Sequence, residues 1–318
     1  MMREIATIIT ALSFLLLTAC SADKPAKTLR SAYYWSTTWQ MDSSKSDFIH
    51  RHHIKRLYVR YFDVVRDEGG EIMPNATILF DAPPSKDLTI IPVVYIVNDC
   101  FKVNSNKPNS DKQCQDLADK ILDRILQMNE ANDIKGVKEI QMDCDWTAST
   151  QDAYFNFLKT LRTKAKAKHL QLSATIRLHQ LSQSPPPVDK GVLMMYNTGD
   201  AKQLKCQKPI LDMKDVAPYI QHLASYPLPL SAAYPLFRWN ILFREGKFVG
   251  ILHKDDDYPI LPSDSIVVRQ PEMTDIMEAI KSINHQNKDI NNEVILFDLN
   301  NYNIKRFSSE DYERIYQH

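Results

Sequence analysis

Glu139-Ile140-Gln141-Met142-Asp143-Cys144-Asp145-Trp146-Thr147 alternates polar and apolar side chains at every step. Successive side chains on a strand point to opposite faces. Gln141, Asp143 and Asp145 therefore share one face, and Ile140, Met142, Cys144 and Trp146 share the other. The apolar face needs a cover of helices. The acidic face then points into the middle of a sheet closed on itself, with Asp145 at the C-terminal end of the strand. A buried carboxylate is costly unless it is paired or hydrogen-bonded. Two on one strand call for a catalytic or ligand-binding carboxylate supported by a second one, or for a structural network with Arg60 or Arg177.

Working outward, the chain offers seven more strand-like runs: 31–39, 56–64, 89–99, 171–178, 191–197, 229–239 and 293–299. Helical patterns lie between them at 111–129, 150–168, 213–226 and 273–284. In the third, Val216, Ile220 and Leu223 share one face at helical spacing. Residues 47–53 read as a short helix and 65–88 as irregular. Eight strands alternating with helices in about 300 residues predict a single (β/α)8 TIM-type barrel domain over 31–318. Residues 241–253, with Glu245-Gly246 as the turn, predict a β-hairpin inserted after strand seven. Loops after barrel strands build the active face, so this hairpin is expected to border the site.

The other strand ends agree with a site at that face. In strand five, Ser173, Thr175, Arg177 and His179 share the inward parity, which lets Arg177 neutralise Asp143 or Asp145 or hold a ligand hydroxyl. Strand six ends in Met194-Met195-Tyr196-Asn197. Strand eight places Asp298 and Asn300 on the face of Leu296, strand two ends in Asp63, and strand three in Asn98-Asp99. Strand one supplies Tyr34, Trp35 and Trp39, and strand seven ends at Trp239. Aromatic rings stack on the apolar faces of pyranoses while carboxylates and amides take hydroxyls, so this convergence suits a sugar. Asp145, Asp143 and Tyr196 are the candidate catalytic set. Arg177, Asn197, Trp35, Asp298 and Asp63 are the candidate substrate-binding residues.

Composition removes several other classes. Lys plus Arg and Asp plus Glu balance at 39 each, and no basic stripe suits nucleic acid. Glycine is scarce, 7 in 318, and neither a phosphate loop nor a dinucleotide fingerprint is present. No cysteine pair has zinc-ligand spacing, so neither metal nor cofactor is expected. Cys100 and Cys114 flank a polar loop and are expected to form a disulfide. Cys144 is expected as a buried thiol, and Cys206 has no evident partner.

The strand-four segment resembles the D-x-x-D-x-D-x-E signature of family 18 glycoside hydrolases, the chitinase-like TIM barrels. Asp143 and Asp145 fall on its second and third acids, Ile140 replaces the first, and Thr147 replaces the glutamate that serves as general acid in that family. Met194-Met195-Tyr196-Asn197 is similar to its strand-six M-x-Y-D. A further likeness, spanning roughly residues 139–178, is to a little-characterised family of bacterial secreted barrels: Gln141-Met142-Asp143-Cys144-Asp145, then a Tyr154-to-Arg162 helix, then Leu172–Thr175. These resemblances imply the barrel fold and a glycan substrate or ligand. Two functions follow. One is a glycoside hydrolase acting on a polysaccharide or cell-wall glycan, with Asp145 as acid or base, Asp143 tuning its pKa, and a second carboxylate from Asp298, Asp63, Asp99 or Glu245. The other is a catalytically inactive lipoprotein that binds a glycan or a protein.

Residues 1–19 read as a secretory signal: Arg3, a short apolar run from Ile5 to Leu17, then Leu17-Thr18-Ala19-Cys20. The run is shorter than the ~20 apolar residues of a transmembrane helix. The last four residues resemble the bacterial lipobox, which makes Cys20 the acylated N-terminus, residues 20–30 a lipidated tether, and the cell envelope, in particular the outer membrane, the expected location. Two or three acyl chains anchor stably at about 0.8 kcal/mol per buried CH₂. Metabolic labelling with a fatty acid is expected to mark the wild-type protein and to fail in Cys20→Ser; label retained in the variant contradicts lipidation at Cys20.

Overall fold

Eight parallel strands close into a barrel in the computed structural model, which describes residues 28–102, 111–252 and 257–318. The signal segment 1–19, Cys20 and the tether as far as residue 27 lie outside the described residues. The strands are β1 (Leu29–Tyr34), β2 (Arg56–Arg66), β3 (Thr89–Ile96), β4 (Glu139–Asp143), β5 (Gln171–Arg177), β6 (Lys190–Met194), β7 (Leu230–Pro235) and β8 (Glu293–Phe297). Each pairs with its sequence neighbours, and β1 closes the ring by pairing with both β8 (Ala32 opposite Leu296) and β2 (Ala32 opposite Leu57). This is the (β/α)8 fold expected from the alternation.

Helices α1 (Ser43–Arg51), α2 (Asp111–Ala131), α3 (Gln151–Ala167), α4 (Met213–Ile220), α5 (Met273–Gln286) and α6 (Ser309–Gln317) follow β1, β3, β4, β6, β7 and β8. Local chemistry sets their ends. The Asp42 carboxylate accepts the Lys45 N–H at 3.0 Å to start α1, and Ser308 with Asp311 forms a capping box for α6. Two connections carry no α-helix. After β2 the chain turns back as Ile72–Asn75, antiparallel to β2. After β5 a 3-10 turn, Leu178–Ser182, leads into the proline run 185–187. The expected hairpin is present as Trp239–Arg244 against Lys247–Leu252, with Glu245 and Gly246 both at positive φ in the turn. A third strand, Asp264–Arg269, joins its other edge. The sequence reading missed this strand because its residues are exposed or half-buried on both faces and give no alternating pattern.

Two apolar layers result. Outward residues such as Ile140, Met142, Leu172, Ala174, Ile176 and Leu296 pack against the helices, each large one contributing about 1.5–3 kcal/mol of burial. Inward residues Tyr33, Tyr58, Val93, Val192, Ala233 and Ile295 fill the barrel. The expected Cys100–Cys114 disulfide is not formed: Cys100 Sγ donates to Val64 O at 3.5 Å, and Cys114 Sγ to Ala153 O at 4.0 Å, so the two thiols are seated on different elements. Cys144 is a fully buried thiol, as expected.

The N-terminal end of the barrel is closed by ions. Glu293 on β8 is paired with Lys190 (β6) and Arg56 (β2), and accepts Ser31 Oγ at 2.6 Å and Ser231 Oγ at 2.8 Å. Arg56 also pairs with Glu139 (β4), which accepts Ser173 Oγ from β5 at 2.6 Å. Burial alone pushes the Glu293 carboxyl up; Lys190 and Arg56 outweigh it and hold it below the usual range. Glu293→Gln keeps the shape but leaves buried cations uncompensated, a change of about 3–5 kcal/mol for a broken buried pair. Thermal or urea unfolding is expected to show that loss, and an unchanged midpoint would contradict a structural role for the cluster.

Candidate active site

At the other end of the barrel the strand ends surround an open cleft of about 670 Å³. Its walls include Trp35 after β1, Arg60 on β2, Tyr95 on β3, Asp143 and Asp145 from β4, Arg177 on β5, and Tyr196 and Asn197 after β6. Phe237, Arg238 and Trp239 follow β7, Phe297 and Asp298 come from β8, and Asn240 and Leu252 belong to the inserted sheet.

The Asp143–Arg177–Asp145 group is the electrostatic centre. Asp143 is buried, accepts Thr175 Oγ1 at 2.6 Å, and pairs with the Arg177 guanidinium at 3.1 Å. Arg177 Nε also donates to Asp145, whose side chain is 53% exposed to the cleft. Gln180 holds this arrangement from behind. It is fully buried, accepts the Arg177 N–H at 2.8 Å and donates to Trp146 O at 3.1 Å, which ties the end of β5 to the loop carrying Asp145. Burial, then the neighbouring Asp145 charge, raises Asp143 against the opposing pull of Arg177. The carboxyl that burial pushes up is thus Asp143, the deeper of the two. Tyr196 Oη lies 2.9 Å from Met194 Sδ, and burial pushes its hydroxyl well up while the nearby Arg177 pulls it down. Asn197 takes φ +57°, the left-handed region that asparagine tolerates.

Strands β4 and β8 lie four apart in a ring of eight, so Asp298 stands across the mouth from Asp145. Asp298 accepts Asn300 Nδ2 at 3.0 Å and Asn303 Nδ2 at 2.5 Å. Burial raises its carboxyl to about 6 in spite of those amides. The same cleft is lined by a cluster of aromatic rings. The Phe297 ring centroid is 4.9 Å from Tyr196, 5.2 Å from Tyr33 and 5.4 Å from Trp35.

Several candidate residues fall elsewhere. Tyr34 and Trp39 belong to the outer layer and pack on each other at 4.8 Å; Tyr33 and Trp35 take the inward parity. Asp63 is buried and holds Arg60 (Oδ1 to Nε 2.7 Å) without lining the cleft itself. It reaches the inner side because β2 carries a bulge between Arg60 and Phe62, which shifts the alternation by one residue. Asp99 is on the surface, paired with Lys102, and Glu245 is in the hairpin turn. His179 leaves the strand into the 3-10 turn and is exposed. Leu296 faces outward, so Asp298 does not share its face; regular alternation stops at Phe297, and the Phe297–Asp298 peptide is cis. Tyr95 was missed, although its parity with Val93 signals it. Gln180 and Asn303, which hold the site from loops, have no such signal. Among the described residues no cluster of three or more His, Cys, Asp or Glu side chains is arranged to hold a metal.

A closed parallel barrel with its cleft at the C-terminal mouth defines a TIM-type barrel, and its structural neighbours include chitinases and spore cortex-lytic enzymes. They include the Bacillus megaterium QM B1551 spore cortex-lytic enzyme SleL (13% identity over 92% of this chain and 74% of that one, TM-score 0.55). The Chromobacterium violaceum ATCC 12472 chitinase matches at 10% identity over 91% and 98%, TM-score 0.53. The family 18 chitinase ChiB of Flavobacterium johnsoniae matches at 13% over 92% and 94%, TM-score 0.52. At these identities the likeness is one of fold. No family model matches the sequence, and a search of curated proteins finds no match.

The Asp298 carboxyl gives a direct check on this geometry. Its folded pKa is raised, so it favours the folded state at acid pH and that contribution is lost as pH rises toward about 6. NMR of protein carrying ¹³C-labelled aspartate is expected to show one carboxyl titrating near 6 that disappears in Asp298→Asn. A spectrum with no such resonance would contradict the burial described.

Proposed function

We propose that this protein is an envelope-anchored glycoside hydrolase that takes a cell-wall or other polysaccharide strand across the barrel mouth. The observation that carries the reading is the pair of carboxylates, Asp145 and Asp298, that line one cleft from the ends of strands on opposite sides of the barrel, together with the rings of Trp35, Tyr196 and Phe297. Asp298, with its pKa near 6, donates a proton to the glycosidic oxygen as the bond to the anomeric carbon breaks. Asp145, oriented by Arg177, takes a proton from the water that attacks that carbon. A pair set across the mouth leaves room for the water, as the inverting mechanism requires. Asp143 and Thr175 keep Arg177 in place, Tyr196 supplies a hydroxyl beside the guanidinium, and Trp35 with Phe297 stacks on the sugar face. The lipid on Cys20 holds the enzyme at the membrane, as the lipobox-like Leu17-Thr18-Ala19-Cys20 supports.

A second reading, glycan binding without turnover, is favoured by one observation. Thr147, at the position of the resembled family's acid, is exposed and outside the cleft wall. Incubation with peptidoglycan and chitooligosaccharides separates the two. Hydrolysis is expected, with Asp145→Asn and Asp298→Asn each lowering the rate about 10²–10⁴-fold, the usual contribution of a proton-transfer group. Binding with no product from the wild type would establish the second reading, and neither binding nor product would sink both.

A further inference from the structure

The cleft wall carries three guanidinium groups, and their partners are not alike. Arg177 serves Asp143 and Asp145, and Arg60 is held by Asp63. Arg238 lines the same cleft, yet among the described residues no carboxylate lies within 4.0 Å of it and no hydrogen bond fills its donors. It lies between Phe237 and Trp239 in the chain; those two residues also line the cleft, and their rings pack on each other with centroids 5.5 Å apart. Asp298, the carboxylate of the cleft wall on that side, has its Oδ1 occupied by Asn300 and Asn303.

The segment beneath is held by a second cation. Arg306 donates to Leu236 O at 2.6 Å, Phe237 O at 3.2 Å and Pro271 O at 2.7 Å. Its partners are neutral carbonyls, so it adds positive potential without cancelling any. Burial, and also the proximity of Arg238, pushes the Arg306 pKa down despite the pull of Glu272. Two cations thus stand together on the β7 side of the mouth, with no acid among the described residues paired to either.

Resting on the reading of this cleft as a glycan site, we propose that Arg238 is a specificity determinant for a glycan bearing a carboxylate substituent. A guanidinium offers a planar fork of donors that matches a carboxylate with two parallel hydrogen bonds. The flanking rings of Phe237 and Trp239 receive the sugar that carries the acid. A neutral glycan leaves this fork in water, while an acidic one fills it.

The test compares three probes on the full-length lipidated protein in detergent: neutral chitotetraose, an alternating GlcNAc–MurNAc tetrasaccharide with lactyl carboxylates, and tetragalacturonate with ring carboxylates. The wild type is expected to bind at least one acidic probe about 10- to 100-fold more tightly than chitotetraose, the worth of one charge-assisted contact. Which acidic probe wins names the source of the carboxylate. In Arg238→Gln that ratio is expected to fall to near one, in Arg238→Glu below one, and added salt should shrink the wild-type ratio. Equal binding of neutral and acidic probes by the wild type, or a ratio unchanged in Arg238→Gln, overturns the inference while the glycan cleft stands. Failure of all three probes to bind overturns the glycan reading with it.

Discussion

Charge inside a closed barrel has to be matched across strands, because water is excluded and an unpaired ion there costs several kcal/mol. Glu293 shows the constraint at the N-terminal end. It collects Lys190, Arg56, Ser31 and Ser231 from four other strands, and Arg56 passes the chain of contacts on to Glu139 and Ser173. One cluster therefore joins seven of the eight strands. Between it and the mouth, Tyr33 Oη donates to Gln141 Oε1 at 2.6 Å, so polar matching continues up the axis.

The mouth follows the same rule but leaves it incomplete. Asp143 is matched by Thr175 and Arg177, and Asp145 by Arg177 alone with half its surface open. Among the described residues Asp298 has amides but no cation, and Arg238 has no acid. These open valences line the same cleft as a cluster of aromatic rings. An interior that pairs its charges at one end and leaves several open at the other stabilises the fold at the first and, in the proposed reading, receives a polar ligand at the second. The division agrees with the general placement of sites in this fold.

How much of this was legible depended on whether period-two alternation held. In β4 and β5 it holds throughout, so Asp143, Arg177 and the outward Ile140, Met142 and Leu172 were readable from the chain. In β2 the bulge at Arg60–Phe62 moves Asp63 to the inner side, where it meets Arg60 rather than the cleft. In β8 the alternation ends at Phe297, so Asp298 lines the cleft for a reason other than the parity with Leu296 that suggested it. In β1 a run of aromatics, Tyr33-Tyr34-Trp35, gives no polar mark of which side is inward, and Tyr34 was placed inside when Tyr33 belongs there. Gln180, Asn303 and Arg238 act from loops, where no periodicity exists to announce them.

The most direct test of the account is a crystal structure of the full chain with Asp298→Asn, soaked with a tetrasaccharide of the type the wild type binds. The expected result is one pyranose ring stacked over Phe297 and Trp35, with a glycosidic oxygen on the residue 298 side and Asp145 on the opposite face of the ring. A glycan bound on another surface, or a mouth that stays empty at saturating sugar, would contradict the claim that this end of the barrel is a glycan-processing site.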